Sequence, residues 1–132
     1  MNESGKPLAD LLNFFSFSFQ KNDVLFLLQD DSDQLEGGVK LVQGGGTAGH
    51  RGVESVYQNV KKFGFLPENI WRLKIGIRPE QNRLKSETFV LSNLSEIDEK
   101  TIQNLANKML VTTPKLLQKD FAGMQNILNT KG

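Results

Sequence analysis

The stretch Val24–Gln29, VLFLLQ, is apolar up to its final residue, and no other feature narrows the fold as much. A short, unbroken apolar run suits a strand covered on both faces by other layers, not an edge strand with one wet side. Two further runs read as strands: VKLVQ (Val39–Gln43) and IWRLKIGI (Ile70–Ile77), the latter with Ile70, Leu73, Ile75 and Ile77 as its apolar content. Helical spacing fills the gaps. Pro7 opens a helix with Leu8, Leu11, Leu12 and Phe15 on its apolar face. Val53, Val56, Tyr57, Val60 and Phe63 mark one face of a second helix. Ser95-Glu-Ile-Asp98 has the form of a capping box and opens a helix running through Met109. Thr113-Pro114 begins another, with Leu117, Phe121, Met124 and Leu128 inward. FFSFSF (14–19) reads as a short strand or, in preference, as a turn that buries aromatic rings. DDSDQLEGG (30–38) and RPEQNRLKSE (78–87) read as polar loops. The chain is therefore α/β, with its strands separated by helices.

Composition excludes several classes. At 132 residues one domain is the expectation. Sixteen basic and 15 acidic side chains leave a net charge of +1, which argues against a strongly basic nucleic-acid module but permits a local basic face. The absence of cysteine removes disulfides, thiolate metal sites and a cysteine nucleophile. No apolar run approaches the roughly 18 residues of a membrane span. The N-terminal MNESGKPLADLL lacks the layout of a signal peptide, so the expected location is cytoplasmic.

Between the second strand and the second helix lies QGGGTAGHRG, Gln43–Gly52. Its Gly44-x-Gly46-x-x-Gly49 spacing matches the dinucleotide fingerprint, and Val39–Ile77 would then be a βαβ unit. Against this, Ile77 is followed by Arg78-Pro79 where an acid should hold the ribose, and a strand precedes the one that should come first. The spacing Gly44-x-x-x-x-Gly49-His50-Arg51 is a near miss for a phosphate loop. Histidine stands where a lysine must reach the phosphates, and arginine where a hydroxyl must hold magnesium. The plain structural alternative is a tightly packed glycine hinge with His50 capping the following helix, and residue types alone leave it open.

Four motifs in order point elsewhere: Asn2-x-Ser-Gly5; Gln29-Asp30-Asp-Ser-Asp33; Lys40 leading to Gly44-Gly-Gly-x-x-Gly-His50-x-Gly52; and Arg72-Leu-Lys-Ile-Gly-Ile77. Together they resemble the bacterial-type peptidyl-tRNA hydrolase family, whose corresponding motifs read MNxSG, HDExD, KxxxGGGxxGHNG and RLRIGIG. The tail FVLSNLSEIDEKTIQNL is also similar to the family's closing elements. This resemblance implies a three-layer fold with a twisted, mixed and mostly parallel sheet flanked by helices. It also implies the C-terminal portion of a single such domain, without the opening strands that carry a substrate-binding asparagine and the histidine proposed as base.

What the resemblance implies for chemistry is hydrolysis of the ester joining a peptide to tRNA, with no metal or nucleotide cofactor and usually by a monomer. Asp30 takes the place of the carboxylate that orients the basic imidazole, here at the end of an apolar strand. Asn2 and His50 match substrate contacts, and Arg51, Gly46 and Gly49 line the same turn. Lys40 and Lys74 match positions linked to tRNA. The departures matter too. Arg51 replaces an asparagine and can donate hydrogen bonds but not accept them. Thr47 and Gln29 replace histidines, and Val42 replaces one member of a basic pair that clamps the tRNA 5′ phosphate. Lys61 and Lys62 read as complements to the helix dipole; Lys74, Arg78, Arg83 and Lys85 form a candidate RNA-facing rim. Three expectations follow: weak hydrolysis by this chain alone or, alternatively, a non-catalytic tRNA- or protein-binding module, and association through sheet edges left exposed. A nucleotide-dependent enzyme is the third and weakest function.

Overall fold

The structure, a computed structural model, describes residues 3–78 and 99–129. Its elements in chain order are α1 (Gly5–Phe14), β1 (Leu25–Leu35), β2 (Val39–Gln43), α2 (Arg51–Val60), β3 (Ile70–Arg78), α3 (Glu99–Leu117) and α4 (Phe121–Leu128). The architecture is α/β as expected, with a mixed sheet in the order β1-β3-β2. Among the described residues β1 stands at an edge of that sheet and its Leu28 is 59% exposed, so the apolar run is not the central strand covered on both faces that its composition suggests. Gly44 N–H donates to Ile70 C=O, and Gly76 N–H to Gly38 C=O, each at 2.8 Å. One index rises as the other falls, so β2 and β3 run antiparallel. That removes the parallel βαβ unit on which the dinucleotide reading depended.

Two compact units emerge. The first comprises Met1–Leu27 and Val42–Arg72. Its core is Val56, Val60, Phe65 and Ile70, with Leu8, Leu12, Phe17, Phe19, Leu25, Leu27, Tyr57 and Phe63 packed around them. The expected aromatic turn is present in part: Phe17 stacks on Phe65 at 5.4 Å between centroids and Phe19 meets the same ring edge-on at 5.2 Å, whereas Phe14 and Phe15 are largely exposed. The buried face of α1 matches the expected one only in part: Leu8 and Leu12 pack against the core. Leu11 is 52% and Phe15 70% exposed, whereas Gly5 and Ala9 are buried. Small residues decide this. Gly5 N–H donates to Ser55 Oγ at 3.1 Å, and a Cβ at position 5 would run into the Ser55 carbonyl. The helix thus sets its smallest residue against the backbone of α2, while Leu8 and Leu12 pack on the core beside it. Replacing Gly5 with alanine should therefore lower stability by about 2–3 kcal/mol, read as a reduced urea midpoint with unchanged m.

The second unit comprises Leu28–Leu41 and Leu73–Gly132. Here β1 runs through the segment expected to be a polar loop and ends at Leu35; only Glu36–Gly38 turn. Polar side chains do not stop a strand whose partners satisfy them. Glu36 N–H still donates to Arg78 C=O at 2.8 Å, and Asp31 is paired as described below. The edge of β2 is partly covered: Asn129 Oδ1 accepts from Leu41 N–H at 2.7 Å, while Gln125 Nε2 and Asn129 Nδ2 donate to Leu41 C=O, each at 3.1 Å. These side chains of α4 and the residue after it occupy backbone groups that a further strand would need.

The helical tail corrects a second expectation. Instead of one helix ending near Met109 and another starting at Thr113-Pro114, α3 continues through Pro114 to Leu117. The carbonyl that Pro114 leaves without a donor belongs to Leu110, which is 70% exposed, so water can serve it. The stop comes later. Lys119 adopts φ 56°, and Asp120 N–H returns to Lys115 C=O at 2.8 Å, a Schellman-type closure. Asp120 then caps α4 by accepting from Gly123 N–H at 2.9 Å. Phe121, Met124 and Leu128 are buried as expected, but Leu117, placed at the helix end, is 80% exposed. The capping box Ser95–Asp98 and the loop beyond Arg78 lie outside the described residues.

Candidate functional site

The glycine turn belongs to the first unit. It is built on left-handed backbone: φ is +60° at Gly44, +77° at Gly45, +50° at Ala48 and +80° at Gly49. Only glycine adopts such values without cost. Its entry is tied down on both sides. Gly44 N–H bonds Ile70, and Gly44 C=O accepts from Arg72 Nη2 at 2.8 Å and from Tyr57 Oη at 3.3 Å. Gly46 is different: a Cβ there would meet nothing within 4 Å, and the same holds at Gly49. At these two positions the backbone faces open space, as a surface approached by another molecule requires.

His50 ends the turn and caps α2. Its Nδ1 accepts from Val53 N–H at 3.2 Å, as the structural alternative anticipated. The consequence is chemical. An Nδ1 that accepts places the ring proton on Nε2, so in this state the imidazole offers Nε2–H as a donor and not as a base. Arg51 is the exposed first residue of α2 and lines an open groove of about 570 Å³ with Glu3, Lys6, Glu54, Ser55, Gln58 and Asn59.

The strand residues belong to the second unit. Asp30 is half-buried and lies in the middle of β1, not at its tip, because the strand continues for five residues. Its neighbour Asp31, which sequence reasoning passed over, is 7% exposed. Lys74 Nζ lies 2.6 Å from Asp31 Oδ2, Gln34 Nε2 donates to the same carboxylate at 2.8 Å, and Asp33 N–H does so at 2.9 Å. Burial alone would push the Asp31 carboxyl up, but these hydrogen bonds and the Lys74 charge together bring it below the usual aspartate value. Lys74 is thus engaged within the sheet, not a freely solvated cation. Lys40 is exposed on β2. Asn2, Arg83 and Lys85 lie outside the described residues.

Sequence reasoning also missed a role for Arg72 and Tyr57. Each was visible as part of a motif or an apolar face, yet they stand 28 and 13 positions from the carbonyl they hold, and no local pattern signals that meeting. Among the described residues, no group of three or more metal-ligating side chains is assembled, and no helix is long and apolar enough to cross a membrane.

The peptidyl-tRNA hydrolase family profile matches residues 1–132. The chain belongs to the peptidyl-tRNA hydrolase family. Among its relatives, the peptidyl-tRNA hydrolase of the Wolbachia of Drosophila simulans (strain wRi) is 33% identical over 129 residues, covering 97% of this chain and 64% of that protein. That of Tropheryma whipplei (strain Twist) is 36% identical over 132 residues, covering 97% of this chain and 63% of its own length. The chain thus spans a little under two thirds of these relatives. A solved peptidyl-tRNA hydrolase in complex with N-propanol superposes with a TM-score of 0.73 at 23% identity, covering 98% of this chain and 62% of that one. The enzyme from Acinetobacter baumannii gives 0.66 at 22% identity with the same coverage. These likenesses establish the peptidyl-tRNA hydrolase fold.

Proposed function

We propose that this member of the peptidyl-tRNA hydrolase family acts in the cytoplasm on the ester between a peptide and tRNA, releasing the tRNA for reuse. The observation that carries this reading is the match to the family over residues 1–132, with the glycine turn and the strand carboxylate in its motif order. Hydrolysis needs a water deprotonated near neutral pH, attack on the ester carbonyl, and departure of the terminal ribose oxygen. Asp30 is assigned the place of the carboxylate that orients and charge-balances an imidazole base, which the single histidine of this sequence does not supply in its capped state. His50 is assigned to the substrate, offering Nε2–H as a donor, with Gly46 and Gly49 providing open backbone beside it and Arg51 a further donor. Asn2 would contribute another contact, and Lys40 and Lys74 would meet tRNA phosphate.

The sequence holds one histidine, and it caps α2. The base is therefore not His50 in its capped state, and we propose that the 132-residue chain alone hydrolyses slowly. That same observation favours the second reading, a tRNA-binding module without catalysis. Filter binding of N-acetyl-aminoacyl-tRNA across a salt series, with release of the acyl group followed in parallel, separates the two. Both readings predict salt-dependent retention. If Lys74 contributes a phosphate contact, Lys74→Ala should weaken binding and reduce the slope of log K against log salt by about one. A flat response to salt would count against both.

A further inference from the structure

We propose that Arg72 and Tyr57 are positioning residues for the glycine turn: by holding the Gly44 carbonyl from two sides, they set where Gly46, Gly49 and His50 stand. Arg72 is only 5% exposed. A guanidinium is taken from water at a large cost unless its environment compensates. Two compensations are visible. Its Nη2 donates to Gly44 C=O at 2.8 Å, and its charge lies over the Tyr57 ring, 5.9 Å from the centroid. Tyr57 closes the arrangement by donating its hydroxyl to the same carbonyl at 3.3 Å.

The target of this clamp is specific. Gly44 is the first left-handed residue of the turn, and its peptide plane sets the course of everything up to the cap of α2. Arg72 comes from β3 and Tyr57 from α2, so the one carbonyl, just past the end of β2, is held both by the neighbouring strand and by the helix that follows the turn. A residue that merely filled core space would not need a planar fork with a fixed donor aimed at the turn; an aliphatic side chain would fill it without the desolvation cost. Gly45 shows how close the guanidinium lies, since a Cβ there would approach Arg72 Nη2 to 3.3 Å.

In its effect on turnover, the inference rests on the hydrolase reading; in its effect on the turn, it does not. The test uses the full chain and three variants: Tyr57→Phe, which deletes only the hydroxyl, Arg72→Lys and Arg72→Met. The first readout is the amide resonances of Gly46 and Gly49 and the ring resonances of His50. We expect Tyr57→Phe to shift them while the methyls of Val60 and Ile70 stay in place, Arg72→Met to shift them further, and Arg72→Lys to restore part of the change. The second readout is hydrolysis of N-acetyl-aminoacyl-tRNA, with KM rising about fivefold in Tyr57→Phe and kcat per folded molecule changing less. A purely structural role would lower the melting temperature and leave the turn resonances and KM alone, and that result overturns the proposal. Should Arg72→Met not fold, Tyr57→Phe and Arg72→Lys carry the decision. If the unmodified chain shows no turnover, the hydrolase reading falls while the resonances still judge the clamp.

Discussion

A single methyl group added at position 76 is expected to cost this protein more than about 4 kcal/mol, a large share of the stability of an ordinary domain. Gly76 lies within β3, where its N–H donates to Gly38 C=O at 2.8 Å. A Cβ there would collide with the carbonyl of Leu35 in β1. Most overpacking is relieved by a side chain changing rotamer, at about 1–3 kcal/mol. The obstructing atom is backbone here, as it is at Gly5. Gly5, however, is the first residue of α1 and can yield with the helix end, whereas yielding at Gly76 would break the ladder at the end of β1, where Glu36 N–H meets Arg78 C=O. Equilibrium urea unfolding of Gly76→Ala checks this. A midpoint close to that of the unmodified chain would show that β1 and β3 are less closely apposed than described.

Removing the carboxylate of Asp31 should have the second largest effect. Asp31→Ala leaves Lys74 Nζ and Gln34 Nε2 without their common acceptor. Breaking a fully buried pair costs about 3–5 kcal/mol, but Lys74 retains 22% exposure, so about 2–3 kcal/mol is the fair expectation after allowing for solvent. The pH dependence has a definite sign. Because folding lowers the carboxyl below its ordinary value of 3.8, its contribution is fully present above that value and disappears as pH falls through the lower folded one. Acid titration of the unmodified chain should therefore show a loss of stability below about pH 4 that Asp31→Ala lacks. The variant also bears on function, since a Lys74 released from Asp31 would be freer to meet phosphate, and tRNA affinity should rise if the variant is compared while folded.

What could be read from residue order alone divides along physical lines. The bounds of β2 and the inward residues Val53, Val56 and Val60 of α2 follow from apolar spacing, because those residues are buried by virtue of their own type. The course of β1 past Gln29 does not, since its polar residues are tolerated only through partners such as Lys74, distant in sequence. Nor does the orientation of α1. Periodicity reveals that an apolar face exists, whereas Gly5 and Ala9, through the close approach they allow, decide which face is buried. Pro114 does not stop the helix, and the residue whose carbonyl it leaves without a donor, Leu110, is itself largely exposed. At the site, the capping of α2 by His50 is among the readings that residue order allows, while the clamp of Arg72 and Tyr57 on Gly44 depends on two elements meeting across the turn.

The most direct test is a time course of acyl release from N-acetyl-aminoacyl-tRNA by the purified chain, run beside Asp30→Asn at equal folded concentration. Slow release with salt-dependent retention of tRNA, and a residual rate changed little by Asp30→Asn because the imidazole that Asp30 would orient is not supplied by the capped His50, is the predicted result. Rapid release abolished by Asp30→Asn, or no association with tRNA even at low salt, would contradict it.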